Sequence, residues 1–225
     1  MGDPRAMGID PSALLEPDYV EGRRRLIDPD RAMTAPEPGA AATTSETIYL
    51  SAADRHGNMV SFINSIYSAF GSGVVVPGTG FALQNRGAGF TMEEGHPNRV
   101  APGKRPFHTI IPAFVTRDGE PWLSFGVMGG SMQPQGHVQV LLNLLLFEMD
   151  LQEAIDAPRF RHLSGPRVGL EPPVGDEVRE NLRARGHEVL ELHPYGAGGG
   201  QAVMRLENGW AAGSDPRKDG AAAGH

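Results

Sequence analysis

Two hydroxyl side chains in the first third of the chain, Thr47 and Ser65, could do chemistry together. Polar and apolar residues alternate from 47 to 52, turn-forming residues fill 54–58, and a second apolar run follows at 59–63, with Ser65 just after it. This pattern predicts a hairpin with one of the hydroxyls on each strand. A threonine hydroxyl is a weak nucleophile at pH 7 and needs a base before it can attack a carbonyl. Judged by local sequence alone, a threonine in such a strand is more often an ordinary structural residue than a nucleophile, and this holds for Thr47.

Five short motifs, in order along the chain, resemble the signatures of the gamma-glutamyltransferases, also called gamma-glutamyltranspeptidases. In that family a threonine stands ten residues before a Gly-Asn turn, and a second threonine or serine lies eighteen residues beyond the first. Thr47, Gly57-Asn58 and Ser65 match this spacing without a gap. The resemblance covers nearly the whole chain, from about Asp3 to the C-terminus. The other matching motifs are Gly103-Lys104-Arg105-Pro106, Gly129-Gly130-Ser131, Asp156-Ala157-Pro158-Arg159 and Gly213-Ser214-Asp215-Pro216-Arg217.

The resemblance implies an N-terminal-nucleophile hydrolase that activates itself by cutting the bond between Glu46 and Thr47. The α-amine released on Thr47, with a pKa near ~8, would then serve as the base for its own hydroxyl. Ser65 would hydrogen-bond the nucleophile, and the backbone N–H groups of Gly129-Gly130 would stabilise the oxyanion, because glycine leaves the backbone open to approach. The neighbouring pair Thr43-Thr44 is rejected as the cleavage point, since the family spacing lands on Thr47.

The positions that hold substrate in the family carry altered side chains in this chain. The family commonly has asparagine where Tyr67 stands, glutamine where Arg86 stands, and an acid for the substrate ammonium where Gly89 stands. His108-Thr109 replaces a Ser-Ser carboxylate clamp. Since arginine pairs well with carboxylates, the acyl pocket is expected to accept more than a γ-glutamyl group. The resemblance implies γ-glutamyl amides such as glutathione as substrates. Glutaryl or other dicarboxylate amides stay open as the alternative, as in the acylase-like branch that includes glutaryl-cephalosporin acylases.

The order of predicted elements indicates an α+β fold. The resemblance implies the C-terminal half of an αββα sandwich, with stacked antiparallel sheets and flanking helices. Residues 1–46 are expected to be the end of a large subunit, and 47–225 the small-subunit catalytic domain. The predicted elements are a short helix at 18–27, a linker at 34–45, strands at 110–116 and 122–127, helices at 138–147, 150–158 and 177–185, and strands at 187–193, 203–206 and 210–212.

Composition and charge limit the kinds of partner, cofactor and location that the chain is expected to have. The 225 residues carry a net charge of −7, which argues against a nucleic-acid partner, and the absence of cysteine excludes disulfides and thiolate chemistry. The longest apolar run, 138–147, is shorter than the ~20 residues of a membrane span. The histidines lack metal-ligand spacing, so neither a metal nor another cofactor is expected. No export signal is found, and the compartment stays open, with the cytoplasm slightly favoured.

The expected partners are the missing large-subunit segment, a small-molecule amide substrate, and water or an amine as the acyl acceptor. In the family, the large subunit contributes strands to both sheets and an arginine that clamps the substrate carboxylate. The chain alone is therefore expected to show little or no turnover. A non-enzymatic alternative also stays open, in which the chain is an inactive fragment that serves only as an assembly partner.

Overall fold

The computed structural model describes residues 3–7, 10–34 and 46–224. Short 3-10 turns lie at Pro4–Ala6, Pro11–Leu15, Arg86–Gly89 and Pro194–Ala197. The helices are α1 Pro17–Arg24, α2 Met132–Leu145, α3 Leu151–Asp156 and α4 Asp176–Ala184. The strands are β1 Glu46–Ala53, β2 Met59–Tyr67, β3 Ala113–Arg117, β4 Glu120–Met128, β5 Phe160–Ser164, β6 Arg167–Leu170, β7 Glu188–Glu191, β8 Gly199–Leu206 and β9 Gly209–Ser214.

Three layers position the site. The antiparallel hairpin β1–β2 packs on one face of an antiparallel sheet with strand order β3-β4-β8-β9, and helices α2 and α3 pack on its opposite face. A separate sheet, β5-β6-β7, contacts α4 and contains a parallel pair, β6 with β7. The predicted α+β fold with stacked antiparallel sheets is confirmed.

Strand β4 is buried on both faces, because layers cover it from both sides. Leu123, Phe125 and Val127 point toward the helices and form the main apolar cluster, which includes Val140 of α2 and Ile155 of α3. Burying side chains of this size stabilises the fold by about 1.5–3 kcal/mol each. The alternate residues of β4 face the hairpin, so this one strand joins the core to the layer that carries Thr47.

The hairpin turns its polar face toward β4. The hydroxyl oxygen of Tyr49 lies 2.7 Å from Ser61 Oγ, and Ser51 Oγ donates to Ser124 Oγ at 2.7 Å. A Cβ at Gly126 would lie 2.5 Å from the Tyr49 ring, so only glycine leaves room for this contact. Burial raises the pKa of the Tyr49 phenol, and its hydroxyl partners oppose that rise. The apolar face points outward instead, where the side chains of Ile48, Leu50, Val60 and Phe62 are about half exposed or more.

Helix α2 begins at Met132, six residues before the predicted start at 138, so the predicted boundary is wrong. The apolar spacing that predicts the helix begins only at Val138, and Pro134 and Gly136 lie in the turn before it. Pro134 falls in the first turn, where a missing N–H costs nothing. Gly136 packs so closely on β4 that a Cβ there would lie 2.6 Å from Val127. The first turns of α2 are therefore held by close packing on β4, a contact that leaves no periodic apolar pattern in the sequence.

Other predicted elements agree with the structure apart from their ends. Asp150 caps α3 with Glu153 in the predicted capping box. The first helix ends at Arg24 rather than 27, and most of the predicted linker, residues 35–45, lies outside the described residues. Strands β5 and β6 were not predicted, because their short segments lack a clean alternation. In the part of the chain that the structure describes, every helix is too short or too polar to cross a bilayer.

Two of the sequence motifs meet in a buried ion-pair cluster. Arg159 Nη2 lies 2.8 Å from Asp215 Oδ2, and both side chains are at most 1% exposed. Arg217 pairs with Glu171 at 2.7 Å and with the second oxygen of Asp215 at 3.1 Å. Asp215 also accepts the Gly200 N–H at 2.7 Å. The cluster thus fixes the start of β8 and the end of β9 against the segment that follows α3.

Candidate active site

Thr47 and Ser65 lie together on the inner side of the hairpin. The Thr47 side chain is buried, with 3% of the residue exposed, and its Oγ1 donates to Ser65 Oγ at 3.2 Å. The pairing of β1 with β2 shifts at this point, so Ser65 and Ile66 together oppose Thr47. Such bulges occur often beside active sites and re-aim a side chain. The Tyr67 N–H donates to Ser65 Oγ at 3.0 Å, which holds the Ser65 side chain in place.

The register between the two layers places Thr47 beside the end of β4. Ser51 of β1 contacts Ser124 of β4, and Tyr49 of β1 packs against Gly126 of β4. The two strands therefore run in opposite directions, and moving two residues back along β1 corresponds to moving two residues forward along β4. One more step brings Thr47 level with Met128. The turn Gly129-Gly130 follows directly, so the structure brings the two predicted elements to the same end of the sandwich.

Gly129 and Gly130 have backbone conformations that favour glycine, with φ of +134° and +57°. Their carbonyls accept the N–H groups of Met132 at 3.0 Å and Gln133 at 3.2 Å, in the first turn of α2. Because the C=O and N–H of one peptide point in opposite directions, the N–H groups of Gly130 and Ser131 point away from the helix, at the positive end of its dipole. An anion in front of this turn would meet two backbone donors.

Arg86, Tyr67 and Thr109 form a second group at the far end of β2. Tyr67 has a φ of +78° and is buried. The Arg86 guanidinium carbon lies 5.1 Å from the centre of the Tyr67 ring, and Arg86 Nη1 donates to Thr109 Oγ1 at 3.3 Å. Burial lowers the pKa of Arg86, and Tyr67 opposes that shift. Arginine stays charged in proteins even when its pKa is lowered, so this group contains a buried cation.

The remaining candidate residues have local contacts. His108 is exposed and its Nδ1 lies 2.7 Å from the Pro106 carbonyl oxygen, so Thr109 rather than His108 contacts Arg86. His137 is buried with each ring nitrogen against a carbonyl oxygen, of Gln133 and Ile111. Burial lowers the pKa of His137, although those hydrogen bonds oppose the shift. Its contacts fit a structural role better than that of a base.

Two positioning residues were missed from the sequence. Asn98 is buried; its Nδ2 donates to the Gly89 carbonyl at 2.7 Å, and its Oδ1 accepts the Phe107 N–H at 2.8 Å. It therefore ties the turn that carries Arg86 to the loop that leads to Thr109. Arg161 donates to Ser131 Oγ and, at 3.3 Å, to the Gly196 carbonyl. An asparagine in a Gly- and Pro-rich loop and an arginine on a short strand gave no signal of these roles.

Comparison with known proteins places the chain in a family. The family model described as Gamma-glutamyltranspeptidase matches residues 1–225. The Oxamate amidohydrolase proenzyme of Klebsiella pneumoniae is 36% identical over 99% of this chain and 43% of that protein. The Glutathione hydrolase-like YwrD proenzyme of Bacillus subtilis is 40% identical over 80% of this chain and 36% of that protein. The chain thus spans about two fifths of the length of these curated relatives.

Solved structures agree with the sequence comparisons. The cephalosporin acylase of Bacillus halodurans superposes with a TM-score of 0.90 and 44% identity, covering 100% of this chain and 42% of that chain. The gamma-glutamyltranspeptidase of Pseudomonas nitroreducens, complexed with L-DON, superposes with a TM-score of 0.72 and 31% identity, covering 79% of this chain and 98% of that chain. Because the family model matches the whole length of the sequence, and both the curated relatives and the solved structures agree with it, the chain belongs to the gamma-glutamyltranspeptidase family.

Proposed function

We propose that the complete protein is an amidohydrolase and acyltransferase that uses Thr47 as its nucleophile, after cleavage of the Glu46–Thr47 bond, and acts on γ-glutamyl amides such as glutathione. The observation that carries this proposal is the buried pair of hydroxyls, with Thr47 Oγ1 donating to Ser65 Oγ at 3.2 Å in a strand bulge. A hydroxyl pair at the inner end of a hairpin, level with a turn of backbone donors, has the parts that acyl transfer requires.

The mechanism follows from these positions. The free α-amine of Thr47 takes the proton from its own Oγ1, directly or through one water, and Oγ1 attacks the amide carbonyl. The negative charge on the carbonyl oxygen is stabilised by the backbone N–H groups of the Gly129-Gly130 turn. The C–N bond then breaks, the leaving amine takes the proton, and an acyl ester remains on Thr47. Water or an amine attacks that ester and restores the hydroxyl.

Two features support cleavage before Thr47. Both curated relatives named above are proenzymes, which are made in a form that requires processing. Residues 47–225 are 179 of the 225 residues. That share agrees with the 79% of this chain that is covered by nearly the whole length of the P. nitroreducens chain.

The missing part of the protein is the proposed partner of this chain. The outward face of the hairpin, formed by Ile48, Leu50, Val60 and Phe62, exposes apolar side chains that a complete sandwich would bury. We expect the large-subunit segment to cover this face and to complete the acyl pocket. The chain of 225 residues alone should therefore show little turnover, because a site left half supported loses its geometry.

The test combines mass with activity in a protein that contains both parts. Intact mass and N-terminal sequencing should find a new C-terminal piece that begins TIYLS, and the product should hydrolyse a chromogenic γ-glutamyl amide. Thr47→Ala should abolish both results, whereas the control Thr44→Ala should leave both intact. Cleavage before Thr43 or Thr44 would contradict the assignment of Thr47. Full Thr47-dependent turnover by residues 1–225 alone would contradict the need for the missing segment.

A further inference from the structure

Ser131, which directly follows the Gly129-Gly130 turn, is the N-cap residue of α2 but does not cap the helix. A capping serine accepts a hydrogen bond from the N–H of the second or third helical residue. Here the Gln133 N–H is taken by the Gly130 carbonyl at 3.2 Å, and Pro134 has no N–H. The Ser131 hydroxyl makes no capping bond, and its oxygen accepts a hydrogen bond from Arg161 of β5 instead.

Arg161 joins the two segments that enclose the Gly129-Gly130 turn. Its Nη2 donates to Ser131 Oγ, and its Nη1 donates to the Gly196 carbonyl at 3.3 Å. The chain continues from Gly196 to Gly198, which packs against the turn so closely that a Cβ at Gly129 would lie 3.0 Å from the Gly198 Cα. One guanidinium therefore holds both the residue that follows the turn and the segment that packs against it.

Two glutamines of α2 hold the strand that carries Arg161. Gln135 and Gln139, one helical turn apart, lie against the free edge of β5, which is an edge strand of its sheet. Gln135 accepts the His162 N–H at 2.7 Å and donates to the His162 carbonyl at 3.2 Å. Gln139 does the same with Phe160, at 3.0 and 2.9 Å. Because Phe160 and His162 flank Arg161, these four bonds fix the backbone on both sides of it.

The charge of Arg161 has no acidic partner in the part of the chain that the structure describes. Both of its hydrogen-bond acceptors are neutral oxygens, and its buried Nε has no hydrogen-bond partner among the described residues. Burial lowers the pKa of Arg161, and no acidic group opposes that shift. Arginine nonetheless stays charged in proteins. This positive charge lies beside the N-terminus of α2, so the two together favour an anion in front of the Gly129-Gly130 turn.

We propose that Arg161 is a positioning residue for the reaction, which holds the Gly129-Gly130 turn in shape through Ser131 and Gly196 and adds its unpaired charge to the turn. The negative charge appears on the substrate carbonyl oxygen only when Thr47 attacks. The effect of Arg161 therefore falls on the attack step rather than on the binding of substrate. This inference rests on the proposed function, because it takes the turn as the site of the oxyanion.

The first experiment measures kcat and KM of the cleaved, assembled protein on γ-glutamyl 4-nitroanilide. Arg161→Gln should lower kcat by about 10–100-fold with KM little changed, because a displaced turn loses stabilisation only in the transition state. Arg161→Lys keeps the charge but loses the planar fork of donors, so its kcat should lie between the other two. The control is Arg167→Gln in β6, which removes an exposed arginine 3.5 Å from Glu188 and should keep kcat. An unchanged kcat in Arg161→Gln, or a defect in KM alone, overturns the proposal.

A measurement without turnover separates this inference from the proposed function. In the Thr47→Ala protein, Arg161→Gln and Ser131→Ala should each speed hydrogen exchange of the Met132 and Gln133 amides, which donate to the carbonyls of the turn, by about tenfold or more. Combining the two substitutions should add little, because both break the same contact. Faster exchange without Thr47-dependent hydrolysis in the unsubstituted protein contradicts the proposed function and leaves the positioning role standing.

Three results overturn the positioning role. The first is an exchange rate of these amides that Arg161→Gln leaves unchanged. The second is an equal increase in Arg167→Gln, which would show a general loosening of the sheet. The third is a fully additive effect of Arg161→Gln and Ser131→Ala. Should Arg161→Gln fail to fold, Ser131→Ala decides alone, because it removes one oxygen and only the Ser131 contact; unchanged exchange and unchanged kcat in that variant overturn the proposal.

Discussion

Replacing Asp215 by asparagine removes one charge from the buried ion-pair cluster and changes little else in shape. Asp215 is fully buried; it pairs with Arg159 at 2.8 Å and Arg217 at 3.1 Å, and it accepts the Gly200 N–H. Arg217 keeps its pairing with Glu171, but Arg159 is left buried and facing a neutral amide. Breaking a buried pair by removing one partner costs about 3–5 kcal/mol. For a chain of this size that loss lowers Tm by roughly 6–20 °C.

The assay is thermal and urea unfolding of the wild type and the Asp215→Asn variant under one set of conditions. The control is Glu180→Gln, which breaks the exposed pair of Glu180 with Arg183 at 2.6 Å and should cost less than about 1 kcal/mol. If Asp215→Asn lies within 1 kcal/mol of the control, the cluster does not hold β8 and β9 in place as its geometry indicates, and the reasoning is refuted.

The same variant makes a prediction about pH. Burial by itself raises the pKa of Asp215, but Arg159, the N–H groups of Gly200 and Arg217, and the charge of Arg217 outweigh burial and lower the pKa below its ordinary value. A carboxyl group with a lowered folded-state pKa binds fewer protons in the native state, so its contribution is fully present above about pH 4. The stability difference between wild type and Asp215→Asn should therefore shrink as the pH falls below about 4.

Two further variants test the site and its support. Ser65→Ala removes the hydroxyl that accepts a hydrogen bond from Thr47. The loss of one hydrogen bond of about 1–1.5 kcal/mol should lower kcat roughly tenfold with KM little changed. An unchanged kcat would show that Ser65 does not act on Thr47. Gly126→Ala should destabilise by about 1–3 kcal/mol in urea unfolding, because its Cβ would lie 2.5 Å from the Tyr49 ring. The control is Gly22→Ala in α1, where no atom lies within 4 Å of the new Cβ, and it should be neutral or slightly stabilising. Equal effects of the two substitutions on the free energy of unfolding would contradict the packing argument.

Local pattern was enough for the elements whose signals are carried by neighbours in sequence. The alternation on both sides of a turn gave the hairpin β1–β2, and Asp150 with Glu153 gave the start of α3. Elements that depend on contacts between residues far apart in sequence could not be predicted from local pattern. The start of α2 depends on Gly136 packing against Val127, and β6 is a strand because β5 and β7 pair with it.

The candidate site divides in the same way. The sequence by itself determined which residues are proposed to carry the chemistry, because the spacing of Thr47, Gly57-Asn58 and Ser65 and the order of the other motifs are properties of the chain alone. The orientation of these residues was decided only in the tertiary structure. An alternating strand leaves either face free to turn inward, and here the polar face is buried because Gly126 leaves space for Tyr49 and Ser124 offers a hydroxyl partner. Only the fold could likewise show that Arg86 Nη2 is buried with no hydrogen-bond partner among the described residues, since the partners of a charge depend on every segment that packs around it.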